Sequence, residues 1–137
     1  MAILKLLLDV AAAIVAIAFG IRYLAATQFM PYHAVISGRT WSELEPGIRD
    51  ILLGSFKTIG GGFITFGLIL LWLLVPLSEH RPWAGWAVLT LTISAVAPVL
   101  YVATNLNRSF PSAGVPIIPA AAVFVLGMGS AASALFV

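Results

Sequence analysis

The chain has 137 residues, a formal net charge of +2 and no cysteine; 61% of its residues are hydrophobic and 9% charged, with a mean hydropathy of +1.09. A soluble domain is about 45–50% apolar and about 25% charged, and one of this size could not hide so much apolar surface, so lipid is the expected solvent. The lack of cysteine excludes disulfides, thiolate metal sites and cysteine nucleophiles, and the few cations form no basic, aromatic-interleaved stripe for nucleic acid.

The first apolar span is expected over 3–26, with Lys5 and Asp9 near one end and Arg22 and Tyr23 near the other. Asp9 inside the apolar stretch argues for a retained transmembrane helix over a cleaved signal peptide. Alanines at 11, 12, 13, 16 and 18 form a small-residue surface suited to close helix contact. The segment 27–47 is too long for a tight hairpin. Pro31 can open a short helix and Gly38 can close it. Thr40-Trp41-Ser42-Glu43 has capping-box spacing, and Glu45-Pro46 is a start signal for the next helix. Phe29, Tyr32 and Trp41 suit the lipid–water boundary. This segment is expected to lie at the membrane surface as a partial lid over the helix ends.

The second span, 48–76, reads IRDILLGSFKTIGGGFITFGLILLWLLVP. It exceeds the roughly 20 apolar residues that cross a bilayer, so it should tilt or project. Gly54, Gly60, Gly61, Gly62 and Gly67 would let a second backbone or a ligand approach closely, and the triplet invites a bend. LSEHRP at 77–82 is a short polar turn, so the second and third spans should be antiparallel neighbours. Trp72, Trp83 and Trp86 would form an aromatic girdle there. The third span is expected over 83–104, kinked at Pro98. A loop rich in turn formers follows from Asn105 to Gly114, and a fourth span over 115–137. Its pairs Gly127/Ala131 and Ser130/Ala134 are small-x-x-x-small packing signals.

The expected architecture is thus all-α: a polytopic four-transmembrane-helix bundle forming one domain over 1–137, with an interfacial segment between helices 1 and 2. Four spans put both termini on one side. Counting Lys and Arg alone slightly favours the first and third loops inside and the termini outside.

Folding these spans together gathers Arg22, Tyr23, His33, Glu43, Glu45, Arg49, Asp50, Lys57, Asn105, Asn107 and Arg108 at one membrane face. Ordinary headgroup anchoring is the bland account of that set; a polar vestibule leading to Lys57 is the functional one. A cation as deep as Lys57 is costly in lipid. It can snorkel toward Asp50, seven residues earlier on the same face, or pair inside the bundle with Asp9 or a backbone carbonyl. The candidate ligand-binding residues are therefore Lys57, Gly60, Gly61, Gly62, His33, Arg22, Asp50 and Asn105. His33 can titrate near neutrality, although a solvated loop histidine is the plainer account. His33 and His80 fall on opposite sides and cannot share a metal. No H-E-x-x-H, phosphate-loop or serine-nucleophile motif occurs, so no catalytic residue, metal or cofactor is assigned. Asn107-Arg108-Ser109 has glycosylation-acceptor spacing, a match common by chance.

The first helix ending in FGIRYLAATQFMPYHA and the glycine-rich second helix FKTIGGGFITFGL give the chain a layout similar to the small four-helix membrane proteins widespread in bacteria, including the DoxX-like group. MPYH followed by WSEL and KTIGGG resembles a pattern of an uncharacterised bacterial membrane family. The likeness covers most of the chain. It implies a bacterial inner-membrane protein and carries over no activity and no functional residue.

Three functions fit these features. The first is a non-enzymatic bundle that binds a lipid-like or small apolar ligand or supports a membrane complex. The second is a small oligomeric transporter or channel with Lys57 lining the path. The third is an interfacial enzyme using His33 with Glu43 or Glu45 as acid–base groups. Membrane lipids, with a homo-oligomer or a membrane complex, are the expected partners.

Overall fold

The computed structural model describes residues 2–135. Five α-helices are present: α1 (Ala2–Leu24), α2 (Pro31–Ser37), α3 (Pro46–Ser78), α4 (Pro82–Ser109) and α5 (Ile117–Leu135). Single 3-10 turns lie at Trp41–Glu43 and Pro111–Ala113, and the described residues contain no strand. Four helices, α1, α3, α4 and α5, are long and apolar enough to cross a membrane. The protein is an all-α four-helix bundle of multi-pass membrane type, with the short α2 between the first two long helices. At about 1.5 Å per residue the 33-residue α3 is longer than a hydrocarbon core of about 30 Å, and Arg49 and Asp50 lie in its first turns.

Local chemistry sets the boundaries. Pro31 occupies the first turn of α2 and Gly38 ends it in the left-handed conformation, φ 63°, which costs glycine no Cβ clash. Glu43 Oε2 accepts the Thr40 N–H at 2.6 Å, the reach-back half of the expected capping box. Pro46 follows the N-cap Glu45 of α3. The segment expected to be a loop from Asn105 is different: α4 runs through Asn105, Asn107 and Arg108 to Ser109. The break comes at Phe110, which leaves helical geometry before Pro111, a residue that disfavours the α conformation in the one preceding it. The turn formers upstream are weak helix breakers beside a proline. The fourth span was expected to reach Val137; Phe136 and Val137 lie outside the described residues.

The helices pair through small residues. α1 packs most extensively on α3, and α4 on α5; α1 also meets α5, while the consecutive α3 and α4 touch much less than either of the first two pairs. On the α1–α3 seam a Cβ added to Gly60 would lie 2.6 Å from the Leu24 nitrogen and 2.7 Å from the Gly20 oxygen. One added to Gly67 would lie 2.9 Å from the Ala13 oxygen. Two helix backbones are thus in near contact over several turns. Gly54, Gly61 and Gly62 meet no such neighbour. The core behind this seam holds Ala12, Ala13, Ala16, Phe63, Phe66 and Leu70, continuing into Val88, Val96, Val123 and Ala131. Trp72, Trp83 and Trp86 are all exposed around the α3–α4 turn, as a girdle requires.

Gly60 and Gly61 separate packing from propensity. Gly60→Ala drives a methyl into backbone and should destabilise the purified protein by about 1–3 kcal/mol in thermal or denaturant unfolding in detergent. Gly61→Ala, facing open space, should be neutral or stabilising by up to about 1 kcal/mol. Equal effects at the two positions would show that the seam is not tight.

Candidate functional site

The weak α3–α4 contact leaves a groove. At the end remote from the α3–α4 turn it widens into a cavity of about 310 Å³. Its floor and walls are Phe19 and Tyr23 of α1, Phe56 and Ile59 of α3, and Val99, Ala103 and Leu106 of α4. Tyr32 and His33 of α2 close its polar end. Ile59 and Val102 on its border are 39% and 53% exposed, so the mouth opens sideways between two spanning helices. A second cavity of about 200 Å³ continues along the groove, bounded by Ile59, Gly62, Phe63, Phe66, Ala95 and Val99. A third, of about 240 Å³, adjoins the polar end and is bordered by Arg22, Tyr23, Tyr32 and Pro116.

Aromatic contacts hold α2 against this end. The His33 ring stacks on Phe56, with centroids 5.1 Å apart and planes at 22°, and lies 4.0 Å from the Tyr32 ring. Tyr23 meets Phe56 edge-to-face at 5.7 Å, and Phe19 meets Phe63 likewise at 5.0 Å. The Tyr23 and Tyr32 hydroxyls are hydrogen-bonded at 2.7 Å. Burial, then this bond, pushes the Tyr32 phenol well above its ordinary range, so it stays protonated. Burial also holds the His33 imidazole below its ordinary 6.5. His33 Nδ1 accepts the Met30 N–H at 3.0 Å, which an imidazolium could not do. The neutral ring therefore carries its proton on Nε2, on a residue that lines the cavity.

The sequence candidates divide. Arg22, His33 and Gly62 border the cavities. Gly60 is consumed by the α1–α3 seam, and Gly61 faces open space. Asp50 is exposed and Asn105 half-buried; neither is among the residues lining these three cavities. Lys57 neither snorkels to Asp50 nor pairs with Asp9. Its ammonium donates to the carbonyl oxygens of Leu24 and, at 2.8 Å, Ala26. These are groups at the C-terminus of α1 that the helix itself leaves unpaired and partially negative. Glu43 is turned back on Thr40, whose N–H holds its carboxyl below the usual range. No hydrogen bond among the described residues joins His33 to Glu43 or Glu45. Composition pointed to charged and glycine positions, whereas most of the lining is ordinary apolar side chain from α1, α3 and α4. In the sequence only Arg22, His33, Gly62 and the boundary aromatics Tyr23 and Tyr32 marked its borders, and nothing singled out the apolar walls.

Two outcomes follow from this geometry. Lys57→Met should cost about 1–2 kcal/mol of stability and speed amide exchange at the end of α1 and across 25–30; unchanged exchange there would show the two bonds to be idle. For His33 the depressed folded value means that docking of α2 is complete above 6.5 and is lost as pH falls through the lower folded value. Exchange protection over 31–37, corrected for intrinsic rate, should drop between about pH 7 and about pH 5 in the wild type. It should become insensitive to pH in His33→Phe, and a wild-type profile that is flat over that range would exclude the imidazole as the latch.

The chain was compared with models of protein families, with curated proteins and with solved structures, and it matches none of them.

Proposed function

We propose that this protein is a ligand-binding membrane bundle whose α3–α4 groove takes a lipid-like or small apolar molecule from the bilayer. The observation that carries this reading is the sideways mouth of the 310 Å³ cavity between two spanning helices. An aqueous ligand would find no polar route to it from that side, whereas an acyl chain already in the bilayer reaches it by lateral diffusion. The size lies at the lower end of small-molecule pockets, and such sites combine apolar walls with a few placed polar groups. Here the walls are Val99, Ala103, Leu106, Phe19 and Ile59, and the polar groups are the Tyr23–Tyr32 hydroxyl pair and the His33 Nε2–H. A ligand with an acyl tail and an oxygen acceptor at its head matches that layout. The tail would lie along the groove toward Phe66, and the head would accept from His33. Arg22, at the adjoining cavity, favours a negative or strongly polar head.

In this reading the protein resides in a cell membrane with both termini on one side, and α2 acts as the partial lid over the bound head. Lys57 is then a clasp that fixes the end of α1, not a ligand contact.

The test uses the full chain in lipid nanodiscs with a spin-labelled stearic acid. The wild type should show a motionally restricted component that unlabelled fatty acid displaces. Val99→Trp, which fills the groove, should weaken that component at least tenfold with the melting temperature nearly unchanged. Val102→Trp, at the mouth, should act in the same direction. If both variants retain the restricted component at wild-type strength, the groove is not the binding site.

A further inference from the structure

The interior of the bundle holds a second polar feature, away from the groove and unconnected with its ligand. Asp9, Thr92 and Ser130 come from α1, α4 and α5 and are 1%, 0% and 1% exposed. They are the buried polar residues of a core otherwise made of Ala, Val, Leu and Phe. Asp9 faces the Ser130 hydroxyl closely enough to interact. Neither of its carboxyl oxygens, however, completes a hydrogen bond. Thr92 Oγ1 is also without a partner and presses on Gly127, one helical turn before Ser130 on α5. The carboxyl of α1 thus meets a hydroxyl of α5, with the Thr92 hydroxyl of α4 about one turn away at Gly127, and among the described residues no cationic partner meets the carboxyl.

The neighbouring surfaces sharpen the point. The stretch of α3 packed at this level, from Gly67 to Pro76, contains no titratable residue. Neither does α4 from Ala84 to Val96, nor α5 from Val123 to Ala134. On α1 the nearest charged residue is Lys5, one turn before Asp9; its side chain is outside the described residues. An ionised carboxylate sealed in such a core, with no counter-charge among the described residues and only the Ser130 hydroxyl facing it, costs several kcal/mol. A proton is the cheapest remedy, since it needs no coordination shell and turns the group into a donor for Ser130. Intramembrane carboxyls in this setting serve as proton-binding sites in membrane proteins generally.

We propose that Asp9, with Ser130 as its hydrogen-bond acceptor, is an intramembrane proton-binding site of this bundle. The carboxyl carries a proton at neutral pH and exchanges it with the aqueous phase at the N-terminal end of α1, which lies about 10 Å away by the helical rise. Gain and loss of that proton switch one unit of charge inside the bundle. Losing it leaves a bare carboxylate among Ala12, Ala13 and Ala131, so release loosens the α1–α5 contact and uptake tightens it. The site is independent of the lipid-like ligand proposed for the groove, and either can fail without the other.

The experiment is infrared difference spectroscopy on the full chain in nanodiscs, in potassium buffer, followed by exchange into sodium. At neutral pH the wild type should show the carbonyl stretch of a protonated carboxylic acid, absent in Asp9→Asn. Raising the pH should remove the band reversibly, and sodium at fixed pH should leave it in place. Ser130→Ala should keep the band but shift its frequency, because the acceptor is gone; this readout stands even if Asp9→Asn does not fold. Lys5→Gln should leave the spectrum unchanged. The proposal is overturned if the band is absent from the wild type at neutral pH, or if it appears only in Lys5→Gln, which would make Lys5 the counter-ion. It is equally overturned if sodium abolishes the band, marking a metal-cation site, or if the band persists at the highest pH at which the protein stays folded, marking a fixed structural donor.

Discussion

The near contact of the α1 and α3 backbones at Gly20, Gly60 and Gly67 is the constraint from which the rest of the arrangement follows. In lipid, apolar side chains gain little by leaving one hydrocarbon neighbour for another, so helix association rests on close packing and on polar bonds between helices. Glycine and alanine supply the close packing along this seam. Once α1 and α3 are locked at this distance, the C-terminal carbonyls of α1 fall beside Lys57, and its ammonium completes the joint. The lysine that looks anomalous in a spanning helix is thus spent on backbone groups that α1 could not satisfy by itself.

The same pairing explains the groove. α1 with α3 and α4 with α5 form two closely packed hairpin-like pairs, joined by the α1–α5 contact. α3 and α4 are tethered by their short turn and are free to part at the other end. Phe56 and Phe63 lean on Tyr23 and Phe19 of α1, and with Phe66 they border the space between α3 and α4 without filling it. α2 then docks over the open end by stacking His33 on Phe56 and joining Tyr32 to Tyr23. A capping arrangement that begins as a helix-start device, with Met30 N–H on His33 Nδ1, also fixes which imidazole nitrogen is left for the cavity.

Asp9 stands against this pattern. Lys57 and the Tyr23–Tyr32 pair each have partners, and their polarity is absorbed by structure. The Asp9 carboxyl is deeper and completes no hydrogen bond, and the stretches of α3, α4 and α5 around it carry no titratable residue. A buried polar group that packing does not explain is where chemistry is to be sought, and here the chemistry needs only a proton.

What the sequence determined by itself is the set of features encoded within a few residues. These are four spans from apolar length, the opening of α2 at Pro31 and its close at Gly38, the Thr40–Glu43 reach-back, the start of α3 at Pro46 and the tryptophan girdle. Each depends on local backbone chemistry or on contact with lipid, and neither requires knowing which helices are neighbours. The end of α4 was misplaced because Asn and Ser only weaken a helix, and Pro111 was the true stop. The tertiary structure alone decided that Gly60 is a packing residue while Gly62 borders a cavity, that Lys57 binds carbonyls more than 30 positions away in sequence, and that the Asp9 carboxyl is buried without completing a hydrogen bond. It alone decided that α3 and α4 part to make a groove. Those outcomes turn on how bulky and small faces meet across helices, and a bilayer, which solvates any apolar face, leaves no trace of that choice in hydropathy.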